Sequence, residues 1–305
     1  EYWSHAAAFL PMADYRYSLF RKQAIRSGAN CWFHRDDHVM THVLDRIRAE
    51  GPVSARDFES PGRKATSGWW EWKPAKRALE QLFLDGTLMV KERRGFQKVF
   101  DLAERVVPEG VDQTLPDRRE FIRWKIMQTV KSLGVAESGD FSYGFPNMKT
   151  DLEAELKELV AEGRIVRCRV EGERERAGFV LSGSVERFGP IRYDNRMRIL
   201  SPFDNLVIRR IRFRRLFGRD YQVECYVPAS KRRYGYFALP ILWRDQCVGL
   251  IDCKAHRASR SLEIRRFSGW DSEPIAVPAK RTQEALEAFA EFNGCTRIDN
   301  ASDKD

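Results

Sequence analysis

Leu79-Glu80-Gln81-Leu82-Phe83-Leu84-Asp85-Gly86-Thr87-Leu88 comes back, every matched position 77 residues further on, as Leu156-Lys157-Glu158-Leu159-Val160-Ala161-Glu162-Gly163-Arg164-Ile165. Leucines three apart give a helix one apolar face. The glycine closing each copy accepts a left-handed backbone, so Gly86 and Gly163 read as helix stops with a strand after them. The surroundings repeat as well. A helix is expected upstream over residues 39–49 in one copy and 120–133 in the other, with short helical segments at 54–58 and 137–143 between. A two-strand ribbon follows each copy, turning at Arg93-Arg94-Gly95 and near Glu171-Gly172. Helix, helix, helix, ribbon is the order of a winged helix, whose third helix can enter a major groove while its wing touches the backbone. Such units also serve as protein-interaction modules, so the repeat speaks for fold before function. Residues 107–116, with Pro108, Gly110 and Pro116, read as the linker between copies at 38–107 and 117–182.

The copies differ in charge. The first ribbon carries Lys91, Arg93, Arg94 and Lys98, whereas the second mixes Arg167, Arg169 and Arg174 with Glu171, Glu173 and Glu175. Before the first copy's third helix lies Gly68-Trp69-Trp70-Glu71-Trp72-Lys73, with Pro74 opening the helix. The tryptophans suit stacking on bases, with Lys73 beside them, and equally suit packing against a neighbouring domain.

Beyond the repeat the composition turns to β-formers. Runs at 206–211, 221–227, 234–243 and 247–252 are rich in Val, Ile, Tyr and Phe and predict an antiparallel, barrel-like domain over 187–293. Between the second and third runs, Lys231-Arg232-Arg233 would form the tip of a hairpin flanked by Tyr234 and Tyr236. A rigid cationic tip with aromatic shoulders suits a nucleic-acid groove; a solvated turn has the same composition. A closing helix is expected from Pro278, with Leu286, Phe289 and Phe292 on one face and Gly294 as its stop, followed by a flexible tail at 294–305. The predicted class is α+β: tandem winged helices, an antiparallel β-barrel-like domain and a C-terminal helix.

The 305 residues carry 53 Lys and Arg against 44 Asp and Glu, a formal charge of +9, which makes nucleic acid the leading partner. No apolar run approaches the ~20 residues of a membrane helix, and no membrane partner is expected. Six cysteines without a CxxC pair favour free thiols in a reducing compartment, here a cytoplasmic, nucleoid-associated one. Cys31, His34, His38 and His42 crowd one stretch, but a loop and one straight helix do not bring all four to one ion, so neither metal nor other cofactor is expected. Asp36-Asp37 would cap that helix. The chain opens at Glu1 without methionine, which reads as a truncated or processed N-terminus.

The residues display no nucleophile elbow, phosphate-binding glycine loop, HExxH or dinucleotide fingerprint. Asp204, in Ser201-Pro202-Phe203-Asp204-Asn205, is the best isolated carboxylate; a turn aspartate more often bonds nearby backbone N–H groups. His5 stands out by its aromatic setting, which a structural histidine would share.

Five spaced motifs occur in order: Glu1-Tyr2-Trp3-Ser4-His5-Ala6-Ala7, Gly68-Trp69-Trp70-Glu71-Trp72-Lys73-Pro74, Arg94-Gly95-Phe96-Gln97, Leu200-Ser201-Pro202-Phe203-Asp204-Asn205, and Lys231 followed by Tyr234-Gly235-Tyr236. With them the chain resembles the crosslink-repair DNA glycosylases of the AlkZ/YcaQ type over nearly all of residues 1–293. The resemblance implies tandem winged helices and a barrel arranged around DNA, with residues 1–37 as the remainder of an N-terminal winged-helix unit. It implies a monomer acting on double-stranded DNA with alkylated or crosslinked purines, by cleavage of the N-glycosidic bond of bulky N7-alkylated purines. The family's catalytic Gln-hydrophobic-Gln or Gln-hydrophobic-Asp would precede Glu1. The nearest match, Gln222-Val223-Glu224, falls on a predicted barrel strand and takes no catalytic role. Asp204 and His5 are carried as candidate catalytic side chains, and Lys231, Arg232, Arg233, Tyr234, Lys91, Arg93, Arg94, Lys73, Trp69 and Trp70 as DNA contacts.

That chemistry is physically reasonable. N7 alkylation makes the purine a cationic leaving group, so positioning water and stabilising an oxocarbenium-like sugar matter more than acid catalysis. A crosslinked base cannot swing freely into a snug pocket, so an open cleft would be needed in place of ordinary flipping. The competing class is a non-catalytic winged-helix regulator, which would read bases with Lys76, Arg77, Glu80 and Gln81 and bind as a two-fold dimer.

Overall fold

The computed structural model describes residues 2–3, 7–28, 35–58, 74–143, 146–170, 176–184, 186, 194–270 and 277–300. It divides into two compact units, Glu1–Ser182 and Gly183–Asp305.

The first unit opens with strands β1 (Tyr2–Trp3) and β2 (Ala7–Ala8), a 3-10 turn at Met12–Asp14 and helix α1 (Tyr15–Arg26). The first copy of the repeat then runs α2 (Asp37–Glu50), β3 (Val53–Ser54), a 3-10 turn at Ala55–Phe58, α3 (Pro74–Leu84), β4 (Leu88–Arg94) and β5 (Gln97–Leu102). A short α4 (Ala103–Val106) leads out. The second copy runs α5 (Arg118–Leu133), β6 (Ala136–Glu137), α6 (Ser138–Phe141), α7 (Lys149–Ala161), β7 (Ile165–Val170) and β8 (Arg176–Leu181). The two three-stranded antiparallel sheets have the same order, β3-β5-β4 and β6-β8-β7. Val53 pairs with Phe100 as Ala136 pairs with Phe179. Asp36 caps α2 by accepting from the Val39 amide at 3.1 Å, and Asp117 caps α5 through Glu120 at 2.7 Å.

The leucine stripe explains the packing. Leu79 and Leu82 are buried with Val43, Ile47, Leu88 and Phe100 in one core, and Leu156 and Leu159 with Ile122, Ile126, Ile165 and Phe179 in another. Gly86 and Gly163 both adopt positive φ, +82° and +67°. Residues 107–116, read as a linker, are tied down: Val107 is buried against Tyr2, Tyr15 and Met89, and Arg16 donates to the Thr114 carbonyl at 3.1 Å. Helix α1 packs on the second copy by ring stacking, with Tyr17 on Trp124 and Phe20 on Phe121, each pair 4.4 Å between centroids. Phe9, just ahead of the 3-10 turn at Met12–Asp14, is exposed.

The second unit carries β9 (Met197–Ile199), α8 (Arg210–Phe217), a 3-10 turn at Ala229–Lys231, β10 (Leu239–Trp243), β11 (Gln246–His256), β12 (Ser261–Ser268), α9 (Ala279–Phe292) and β13 (Arg297–Asn300). Its sheet order is β13-β12-β11-β10-β9, antiparallel except for the parallel β12–β13 pair, and β9 and β13 are its edges. The expected strand at 206–211 is a turn running into α8, where Phe213 stacks toward Phe217 at helical spacing and Gly218 at φ +64° ends the helix. No strand forms at 221–227. Tyr221 and Glu224, three apart, both point inward, which breaks the two-residue period a strand requires. The run at 234–243 becomes a strand only from Leu239. The segment placed in a flexible tail at 294–305 includes structured residues: Cys295 is buried, and Arg297–Asn300 add the parallel edge strand. Helix α9 stops before Gly294 as expected, but Phe292 is 86% exposed rather than on the packed face.

Candidate nucleic-acid interface

The cationic segment Lys231-Arg232-Arg233 is not a hairpin tip. It leaves the 3-10 turn as a loop, held by acid groups rather than by strand pairing. Glu224, 8% exposed, accepts from the amides of Arg233 (2.9 Å), Tyr234 (2.8 Å) and Gly235 (3.1 Å). Buried Asp252, on β11, takes the next amide, Tyr236, at 2.7 Å. Four consecutive N–H groups thus end on two buried carboxylates. Burial raises the pKa of Glu224, but the three amides and Arg232 outweigh it, so its carboxyl sits below the ordinary value of 4.5. Gly235 stands at φ +137°, and a Cβ there would collide with the Asp252 carboxylate. The match Gln222-Val223-Glu224, read on a strand, therefore supplies the loop's clamp.

Above this clamp the side chains divide. Lys231 and Arg233 are exposed, while Arg232 donates to the Val227 carbonyl at 2.8 Å and lies over the Tyr236 ring at 4.8 Å. Tyr234 turns toward the core, edge-on to Trp270 at 5.9 Å, so it anchors the loop rather than shouldering it.

The Ser-Pro-Phe-Asp turn rests on the same core. Asp204 Oδ1 accepts from the Leu206 amide at 2.9 Å, and its carbonyl accepts from Val207 and Ile208, both at 2.8 Å. Arg210 donates to the Val207 carbonyl at 2.6 Å and covers the Tyr221 ring at 4.6 Å; the Tyr221 hydroxyl donates to Ala238 at 2.8 Å. Turn and loop are thereby joined through Leu200, Val207, Phe213, Tyr221, Ala238 and Trp270.

In the first unit, the β4–β5 ribbon has a buried root and an exposed tip. Lys91 reaches buried Asp101 at 3.6 Å, Arg94 pairs with Glu92 at 2.8 Å, and Lys98 is drawn under the ribbon to Glu80 at 2.9 Å. Arg93 donates to the Phe96 carbonyl at 3.4 Å. On α3, Gln81 is buried and Glu80 is engaged by Lys98, which leaves Lys76 and Arg77 as the exposed cations of that helix. His38 and His42 are exposed on α2. His5, Trp69, Trp70, Lys73, Cys31 and His34 lie outside the described residues.

Three cations escaped the sequence reading. Arg21 and Lys125 line a cavity of about 210 Å³ between α1 and α5, with Tyr17, Trp124 and Gln128. Burial, aided by Arg21, pushes Lys125 down to about 8, and burial also lowers Arg21. Lys22 is 3% exposed, with Nζ 4.0 Å from the Tyr15 ring centre and 5.5 Å from that of Tyr2, and among the described residues it has no hydrogen-bond partner. Burial, then Arg26, pushes it down to about 7. The cavity is made by packing between α1 and α5, and the Lys22 slot by Tyr2 and Gly86 closing on α1, which no local spacing reveals.

Among the described residues no helix is long and apolar enough to cross a membrane. Among solved structures, DNA glycosylase AlkZ of Streptomyces sahachiroi is similar with a TM-score of 0.52 at 17% identity, over 74% of this chain and 57% of that one. The chain thus spans little more than half of that protein's length, and at this identity the likeness concerns the fold. A family model described as DNA glycosylase AlkZ-like matches residues 1–292, through the repeat, the clamped loop and α9. By that match the chain belongs to the AlkZ-like DNA glycosylase family.

Proposed function

We propose that this chain holds DNA for a glycosylase that hydrolyses the N-glycosidic bond of bulky N7-alkylated purines, interstrand crosslinks included. One observation carries the reading: the family match extends through both units rather than over the repeat alone. In this reading the two copies of the repeat are winged helices, β4–β5 is a wing laid on the phosphate backbone, and Lys231, Arg232 and Arg233 form a second phosphate contact on the unit that carries Asp204. The lesion's own positive charge makes its base depart readily, so the protein's task is grip and positioning. The regulator reading is weakened by α3, because burial of Gln81 and the Glu80–Lys98 pair remove two of its four base-reading candidates.

The experiment is excision from a duplex carrying a bulky N7-alkylguanine, read as alkali-labile abasic sites, alongside duplex affinity against salt. A K231A/R232A/R233A variant is expected to lower the salt slope by ~2–3, about one counterion per phosphate contact. Its stability should fall by about 1 kcal/mol, nearly all of it from Arg232, which loses its bond to the Val227 carbonyl and its contact with Tyr236, since Lys231 and Arg233 are surface charges. An unchanged slope with full excision removes the loop from the interface.

Asp204 is assigned to its turn. An amide oxygen can accept from Leu206 as the carboxylate does, so Asp204→Asn is expected to leave melting temperature and excision unaltered. Asp204→Ala should cost about 1 kcal/mol. Loss of excision in the asparagine variant at unchanged melting temperature would make Asp204 a charge stabiliser.

A further inference from the structure

Phe96 is 84% exposed, at the tip of the β4–β5 ribbon. Arg94 and Gln97 form the last cross-strand pair, so Gly95, at φ +61°, and Phe96 make up the turn itself. Such positions usually hold small or polar residues, because the turn faces water on every side. Here a large apolar ring stands there beside two arginines. Arg93 donates to the Phe96 carbonyl at 3.4 Å, which holds its guanidinium at the backbone of the turn, and Arg94, paired with Glu92, follows on the same strand.

The support beneath the tip is stiff. Leu88, Met89, Val90, Val99 and Phe100 are buried at the ribbon's root, and Lys98, one cross-strand pair from the tip, ties β5 to α3 through Glu80 at 2.9 Å. An exposed aromatic ring on a braced stem, with two arginines in the adjoining strand, matches the apolar wedge that proteins push between base steps from the minor groove, where cations hold the flanking phosphates.

We infer that Phe96 is a wedge that enters the stack of a DNA duplex and opens one base step. The inference rests on the glycosylase reading above and deepens it. A base tied to both strands cannot be swung out whole, so access to its sugar has to come from local unstacking within the duplex. A wedge supplies that unstacking without rotating the nucleotide, and an unpaired lesion pocket is then unnecessary.

The test uses the whole chain and an unmodified duplex with 2-aminopurine at several positions, whose fluorescence rises when its neighbours unstack. At saturation the chain is expected to raise the signal at least about twofold. Phe96→Ala should abolish the rise and weaken binding on the order of tenfold. It should keep the salt slope, because phosphate contacts remain, and the same melting temperature, because the ring is exposed. Phe96→Leu should keep about half of the rise. Tight binding by the chain with no rise, or a Phe96→Ala variant that keeps both rise and affinity, overturns the wedge and leaves the glycosylase reading standing. Failure of the chain to bind duplex at all removes the DNA reading and the wedge with it.

Discussion

Replacing Glu224 by alanine is expected to lower stability by roughly 2–4 kcal/mol, even though the residue lies in no helix or strand. Its carboxylate is the common acceptor for the amides of Arg233, Tyr234 and Gly235, and its removal strands all three where the chain cannot turn them to water without unfolding the loop. Glutamine, with one acceptor oxygen, should recover part of the loss. The effect has a pH signature. The carboxyl is held below its ordinary value of 4.5 in the folded chain, so the unfolded state binds its proton first as acid is added. The stabilisation is complete above that value and fades as pH falls below it. Urea midpoints from pH 7 down to pH 3 should therefore converge for Glu224→Gln and the parent chain. Parallel midpoints across that range would mean the carboxylate's charge is not what holds the loop. The DNA consequence should follow without altering any cation: Glu224→Ala should reduce the salt slope as the triple alanine variant does, because an unclamped loop no longer presents Lys231 and Arg233 together.

The second large effect has the opposite sign. Lys22→Met should stabilise the protein at pH 7 and below by roughly 3–5 kcal/mol, since the methionine fills the same slot without a charge to desolvate. Lys22 titrates near 7 in the folded chain and at its ordinary 10.5 when unfolded. Between these values the unfolded state holds a proton that the folded state has released, so raising the pH stabilises the parent chain. Below pH 7 both states are charged and the full cost persists. The advantage of Lys22→Met should thus be constant up to pH 7 and shrink steadily toward pH 10. Tyr2 and Tyr15, whose hydroxyls are pushed up by burial, oppose this only above their ordinary value of 10.0. Melting curves at pH 6, 8 and 9.5 decide it. A destabilised methionine variant, or a gap that does not close with pH, would show that the ring contacts of the ammonium outweigh its burial.

The repeat was legible because helix signals are local. Leucine spacing, an aspartate before α2 and a glycine after α3 each report on a few neighbouring residues, and the structure uses each for the role its chemistry suggests. The second unit was legible mainly where strands are real, at 239–243 and 247–252. Elsewhere its β-formers line a core without pairing: Tyr221 and Tyr234 point at Phe213 and Trp270, and the backbone from Arg233 to Tyr236 bonds to Glu224 and Asp252. A glutamate read as one more polar strand position gave no sign that three amides would converge on it. The cations Lys231 and Arg233 could be named from sequence, whereas the reason they are held still could not. Lys22 was invisible for a related cause, because its surroundings come from Tyr2, Tyr15 and Gly86, which only the tertiary fold assembles.

Gly86 and Gly163 close the two copies with the same backbone, yet they are not equally replaceable over evolutionary time. Around Gly163 there is open space, so a residue that tolerates a left-handed backbone, such as asparagine, can drift in at small cost. At Gly86 the Cδ of Lys22 lies 2.6 Å from where a Cβ would be, so any side chain meets the stem of the buried lysine. One copy of the repeat therefore has room for a side chain at this position. The other is constrained from one side: residue 22 can change alone, whereas a side chain at position 86 has to displace the lysine stem that fills its place.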